Sequence, residues 1–405
     1  MDVELQINNS TSPDVQFVTW APSPCRIRVT NPVGAVPPAV SIKISNVSAA
    51  GGGAVGFRTG TTGAFTSTLT LTVPTNGISV PFFTAGTAAS SNNGDVKIEA
   101  RAGNTVVGAA PCMVRIRKNA NNLKPPEKVR FVAAFAQLNN QGLGRFADFR
   151  NMHRTQVELN QAHGAPGFLP WHRAYLLDLE RELQAIDPSV ALPYWRFDLA
   201  APNIFKPDFM GVSDPIGTVS FANNNPLQFW KTDGQTGVNR RPLFNINVAP
   251  PGLRTEAQTL ALGTNFSAFR IMEGNPHGSA HTSFGGMIQS PGTAPRDPLF
   301  FLLHCNVDRL WAKWQKQNNR FDPAVVASFN NNNASPIGHR LQDTMLPWNG
   351  VTGGTRPPNA PGGTLAPSPI APAPGLSPRV QDMLDYQGVI SAASNEGFDY
   401  DDVPL

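Results

Sequence analysis

Charge is scarce in this 405-residue chain: Asp, Glu, Lys and Arg together make up 15%, against roughly 25% in an average globular protein. Disordered chains carry more charge and fewer large apolar residues, so the shortage argues for a folded protein. The 32 basic and 28 acidic side chains leave a net charge of only +4. No dense Lys/Arg stripe runs through the sequence, which argues against a nucleic-acid partner. No apolar run reaches the roughly 20 residues that span a bilayer, so no membrane partner is expected. The opening MDVELQINN has neither a basic nor an apolar segment; no signal peptide is expected, and the cytoplasm is the expected location. Cysteine is nearly absent too. Three residues exclude a disulfide-rich scaffold and any four-cysteine zinc site. Cys25 and Cys112 both fall in the strand-rich N-terminal part, where a bridge across a sandwich and two separate buried thiols both fit.

What the chain has in quantity is punctuation, with 36 glycines and 38 prolines, and a length that suggests two or three folding units. Over residues 1–120, the runs DVELQI, DVQFVTW, CRIRVT, VSIKIS, STLTLTV, DVKIEAR and CMVRIRK alternate apolar and polar residues between Gly, Pro, Asn and Ser clusters. Seven or more such runs predict an all-β, immunoglobulin-like antiparallel sandwich. The polar segment NANNLKPPEK at 119–128 reads as a linker, and the pattern beyond it is helical. Val129, Phe131, Val132, Phe135 and Leu138 mark one helix. A second is expected from Pro170 to a stop at Asp187-Pro188. Asn275-Pro276 and Asp297-Pro298 each place a capping residue before a first-turn proline, predicting further helix starts. The Gly/Pro-rich stretch 351–405 is expected to wrap the surface.

Seven histidines are present, and six form two groups of three: His153, His163 and His172, then His277, His281 and His304. His277 and His281 are four apart, so their rings share one helical face and can meet one ion. His304 lies in the apolar run FFLLHCNVD, where a buried imidazole needs partners for its nitrogens. Cys305 points about 100° away from it on a helix and is read as a packing residue. All-histidine triads favour Zn, Cu or Fe over Mg or Ca. Two equal triads suggest a pair of metals held between facing helices. HGSAH lacks the glutamate of HExxH, no CxxCH is present for haem, and a single zinc would leave one triad unexplained. His339 stands apart and is read as structural.

These residues resemble the tyrosinase, catechol oxidase and haemocyanin family. HGAPGFLPWHRAYLLDLERELQ with the following LPYW is similar to that family's first copper-binding segment, and NPHGSAH with DPLFFLLHCNVDRLWAKWQ to its second. The likeness spans about 130–350, and the closing GFDYDD resembles the tail after these cores. The resemblance implies a mainly α, four-helix-bundle type-3 copper domain over 127–350. Two copper ions would be the cofactor, one bound by His153, His163 and His172 and the other by His277, His281 and His304. Phenols and O₂ would be the small-molecule partners. Plant members join a cysteine near the second histidine to it by a thioether; here Gln161-Ala162 stand in its place. Members that hydroxylate monophenols well resemble one another in a glutamate upstream of the second triad and an asparagine after its first histidine, a pair proposed to orient a water that deprotonates the phenol. Glu273 supplies the first, but Gly278 occupies the second position, so the base is incomplete. The expectation is therefore oxidation of ortho-diphenols to ortho-quinones with weak or conditional monophenol hydroxylation. The alternatives are a true tyrosinase, an oxidase of aminophenols or substituted phenols, and an O₂ carrier of haemocyanin type. Asp308 is expected to pair with Arg173 or Arg309 or to orient a ligand. Trp171 and Trp311 are expected in the core, and Phe284, Met287 and Pro291 on the loop where relatives contact substrate.

Overall fold

Alternation in the N-terminal runs becomes two sheets in the computed structural model, which describes residues 1–32, 37–154, 156–349 and 363–405, with residues 156–158 given by their helix alone. One sheet has the order β1 (Asp2–Ile7), β3 (Ser23–Asn31), β7 (Val80–Ala88), β5 (Ala54–Arg58). The other runs β2 (Phe17–Val18), β9 (Thr105–Val114), β8 (Val96–Ala102), β4 (Ala39–Ser48), β6 (Thr68–Pro74). Neighbours are antiparallel except β2 and β9. In β3, Cys25, Ile27 and Val29 are buried while Arg26, Arg28 and Thr30 face outward, the period-2 pattern of a half-buried strand. Inward residues of both sheets, among them Ile27, Phe57, Phe82, Ile44, Ile98 and Val114, form a single apolar cluster.

Two strands lie outside the runs singled out by alternation, β5 and β7. Each contains a glycine where a side chain would collide: a Cβ at Gly56 would come within 2.8 Å of Phe65 Cβ, and one at Gly86 would overlap Val114. Close packing has removed apolar side chains that would have completed the alternation. Cys25 and Cys112 are free thiols, so no bridge crosses the sheets. Burial pushes the Cys25 thiol up to about 12 and raises that of Cys112 as well.

The chain forms two compact units. Met1–Ile116 is joined by Ser368–Ala371 and Gly397–Leu405; the other unit comprises Arg117–Pro367 and Pro372–Glu396. The stretch expected as one C-terminal wrap is thus divided between them, and its residues 351–362 lie outside the described residues. In the first unit the Trp20 backbone N–H donates to Asp399 Oδ2 at 2.9 Å, and the Trp20 indole donates to the Tyr400 carbonyl at 2.8 Å.

The second unit contains α1 (Pro125–Asn139), α2 (Phe146–Met152), α3 (Gln156–Ala162), α4 (Phe168–Ile186), α5 (Glu256–Leu260), α6 (Phe266–Phe269), α7 (Ser279–Thr282) and α8 (Leu299–Asn318). Helices α1, α3 and α8 all pack against α4. Every residue of α4 from Phe168 to Arg181 is buried, as is every residue of α8 from Leu299 to Ala312. A helix buried all round must pair its charges. Arg173 Nε on α4 donates to Asp308 Oδ1 on α8 at 2.6 Å, and Arg117 donates to both Asp308 (3.2 Å) and Glu180 (2.7 Å). Of the partners weighed for Asp308, Arg173 is the one found. Arg309 pairs instead with Glu256 at 2.7 Å.

Helix α4 begins two residues before Pro170, behind Gly167. Asp297 does act at the start of α8, its Oδ1 accepting from Leu299 N at 2.9 Å, while Arg240 holds the same carboxylate by two bonds of 2.7 Å. Asn275 has the extended backbone of a helix start (φ −143°, ψ 120°), but its side chain does not cap that helix: its Oδ1 accepts from Arg254 N at 2.8 Å. Among the described residues no helix is long and apolar enough to cross a membrane.

Candidate metal centre

The six clustered histidines come from several local devices. His153 caps the C-terminal end of α2. His163 follows α3 directly and precedes Gly164, whose φ of +74° turns the chain. His172 and His304 project from the buried helices α4 and α8. His277 lies in the wide turn Gly274–Gly278, and His281 in α7. Five are buried and His163 is half-buried. The structure brings His153, His163 and His172 together as one group and His277, His281 and His304 as another, with the nitrogens in each group within 4.8 Å of one another. The groups adjoin: the His172 and His304 rings stack at 4.3 Å, 13° from parallel.

Orientation decides what these rings can hold. Backbone carbonyls take up Nδ1 in five of the six: Pro291 for His153 (3.0 Å), Leu159 for His163 (3.0 Å), Phe168 for His172 (2.9 Å), Glu273 for His277 (2.7 Å) and Ile288 for His281 (2.7 Å). A carbonyl only accepts, so Nδ1 carries the proton and Nε2 presents a lone pair. Nε2 of His153 and His172 nevertheless stand 3.3 Å apart. In the second group, Nε2 of His304 lies 3.4 Å from that of His277 and 3.1 Å from that of His281. At His153 and His172, where both Nδ1 protons are fixed by carbonyls, lone pairs converge at this distance and repel unless a cation lies between them. Imidazole nitrogens about 2.0–2.1 Å from one ion in tetrahedral arrangement stand about 3.3–3.4 Å apart, which is the spacing found. The donor set therefore fits a pair of metal ions. Burial lowers all six imidazoles below their ordinary pKa, His281 to about 4, and the neutral form is the one that binds metal.

His304 differs from the other five. Its Nδ1 has no hydrogen-bond partner among the described residues; its ring is fixed instead by Phe300, centroids 4.1 Å apart, and by the stack on His172. Phe168 packs against His277 at 4.8 Å and His172 at 4.7 Å. No ligand spacing in the sequence marks these two phenylalanines.

Glu273 precedes His277 by one turn. Its Oε1 accepts from Gly164 N at 2.6 Å, tying it to the residue after His163, and burial raises its carboxyl above the usual range. Gly278 has helical dihedrals (φ −59°, ψ −36°), and a Cβ there would meet only the Glu273 carbonyl, at 3.4 Å. The loop residues expected near substrate have other places. Phe284 is fully buried in an aromatic core with Phe244 (5.2 Å) and Trp195 (5.6 Å). Pro291 contributes its carbonyl to His153, and Met287 donates its backbone N–H to Asn239. Trp171 and Trp311 are fully buried, and Cys305 turns its thiol to the Leu192 carbonyl.

Residues 143–317 match the family model described as the common central domain of tyrosinase. Tyrosinase from Streptomyces glaucescens is 34% identical over 267 residues, covering 58% of this chain and 92% of the relative. Tyrosinase from Streptomyces antibioticus is 33% identical over 268 residues, covering 58% and 94%. The solved structure of deoxygenated hemocyanin from Rapana thomasiana aligns with a TM-score of 0.48 at 22% identity, over 72% of this chain and 70% of that one.

Proposed function

The chain belongs to the tyrosinase family of type-3 copper phenol oxidases, and on that premise we propose that it oxidises ortho-diphenols to ortho-quinones and hydroxylates monophenols only slowly. Two diphenols and one O₂ yield two quinones and two waters. Bound at the two triads, copper supplies the O₂ chemistry and accepts the electrons that leave the diphenol. The rest falls to the protein. The carbonyl-anchored imidazoles hold their Nε2 lone pairs in place before any ion arrives, so little reorganisation accompanies binding. Burial keeps the rings neutral and excludes bulk water from the two adjoining groups.

The observation that carries the preference for diphenols is the residue after His277. A diphenol gives up its protons readily, whereas a monophenol needs a positioned base. Glu273 is within reach of the first triad, but its Oε1 is taken by Gly164 N, and Gly278 offers no side-chain amide to help it hold a water.

Oxygen uptake by the copper-loaded protein tests this reading, first with catechol and then with a matched monophenol. Rapid uptake with catechol and a long lag with the monophenol is the expected result. Equal uptake with both would make the protein a true tyrosinase in which Glu273 needs no neighbour. No uptake at two coppers per chain would leave the oxygen-carrier reading.

A further inference from the structure

We propose that His339, assisted by Gln161, is a positioning residue for His163: a non-covalent clasp that holds the loop carrying this ligand in register for metal. The inference rests on the reading that His153, His163 and His172 hold one copper ion.

His163 is the most exposed of the six candidate ligands. It lies in the short connection between α3 and α4, and it alone among them is half-buried. A segment from well beyond α8 grips that connection at both ends. The Gly167 backbone N–H, at the start of α4, donates to His339 Nδ1 at 2.9 Å. The same ring makes a hydrogen bond with the Asn160 backbone, in the last turn of α3. Because Nδ1 accepts, Nε2 carries the proton and faces the Asn160 carbonyl. One neutral imidazole thus joins the two ends of the loop. It is 3% exposed.

The neighbouring side chains serve the same contact. Gln161 Oε1 accepts from Leu346 N at 2.7 Å, and the Leu346 carbonyl accepts from the Trp171 indole at 2.7 Å, next to His172. Asp343 Oδ2 accepts from Gly338 N (2.7 Å) and Arg340 N (3.3 Å), shaping the turn that presents the ring. The fit is close. A Cβ on Gly167 would fall 2.6 Å from His339 Nδ1 and 2.8 Å from the Gly338 carbonyl, and a Cβ on Gly338 would overlap the Gln161 side chain. His339 acts through the loop, and its replacement should resemble the loss of an outer partner of a metal ligand, which typically weakens metal binding about tenfold to a hundredfold.

The test is Cu(I) affinity of the full chain, measured by competition with a chromophoric chelator, for the wild type and for His339→Leu, His339→Asn and Gly167→Ala. In a His281→Ala background the first triad is read alone, and in a His163→Ala background the second. His339→Leu should weaken first-triad binding about tenfold to a hundredfold and leave the second triad unchanged. An asparagine side chain at this position places an oxygen near the site of Nδ1, so His339→Asn should recover most of the loss. Gly167→Ala should repeat the leucine result, because its dihedrals (φ −67°, ψ −12°) suit alanine and the collisions fall on His339 and on the Gly338 carbonyl of the turn that presents it. Unchanged first-triad affinity in both His339→Leu and Gly167→Ala overturns the proposal. So does equal weakening at both triads with a matching fall in the Tm of the metal-free protein, which would make His339 a general fold residue. A wild-type chain that binds fewer than two ions overturns the dicopper reading itself, and the clasp with it.

Discussion

Glycine at 278 stands one position past His277 in a helical conformation that any residue adopts, with only the Glu273 carbonyl, at 3.4 Å, beside the place of its missing side chain. Adding an amide there is therefore a clean experiment. Gly278→Asn should fold normally, since asparagine suits a helix better than glycine. It should raise the monophenol-to-diphenol rate ratio about tenfold, a modest share of what a positioned base can contribute. Lag time and oxygen uptake with matched phenols read the change, and an unaltered ratio would sink the incomplete-base explanation. The candidate ligands were legible as two histidine triads by spacing alone, because metal chemistry restricts which side chains can gather around one ion. Their carbonyl anchors at Pro291 and Ile288 were not: every residue has a carbonyl, and only the folded path decides which one faces an imidazole. Phe284 misled for a related reason. Its place on the loop between two ligands suggested a pocket wall, while its bulk took it into the aromatic core. His339 gave no signal because its partners, Gly167 N and the Asn160 backbone, are main-chain groups 172 and 179 positions away in sequence.

At the scale of elements, the start of α8 depends on an ion pair that water never reaches. Arg240 and Asp297 are both fully buried and joined by two bonds of 2.7 Å, and the same carboxylate accepts from Leu299 N. Taking away one partner leaves an uncompensated buried charge. Asp297→Ala should cost about 3–5 kcal/mol, measured by urea unfolding, and His304 one and a half turns along α8 should lose metal affinity with it. Helix α8 was legible from its length, its apolar face and the Asp297-Pro298 start. Strands β5 and β7 were not, because Gly56 and Gly86 interrupt the alternation that betrays a strand. Packing needed an absence there, and an absence carries no periodic signal.

For the whole molecule, pH enters through Glu396. It is 1% exposed, neither of its carboxylate oxygens has a hydrogen-bond partner among the described residues, and burial raises its pKa from 4.5 to about 8. With the folded value above the unfolded one, the folded state holds a proton that the unfolded state has released. Its contribution is complete below pH 4.5, declines as pH rises towards 8, and is gone above it, with a slope of at most about 1.4 kcal/mol per pH unit. Glu396→Gln copies the protonated form. The variant should match the wild type near pH 4 and be clearly more stable at pH 9; equal stabilities at both pH values would show that Glu396 is ionised within the fold.

The strand unit makes a separate demand. Asp399 receives the Trp20 backbone N–H, and Asp399→Ala would leave that donor without its carboxylate, a loss of about 1–3 kcal/mol. Hydrogen exchange should quicken around Trp20 while the amides of α4 keep their protection. The two residues of this bond are 379 positions apart, and nearly all of the helical unit is encoded between them. A ribosome therefore delivers the first strands long before the residues that finish their unit. The unit begun before the helices is whole only after them.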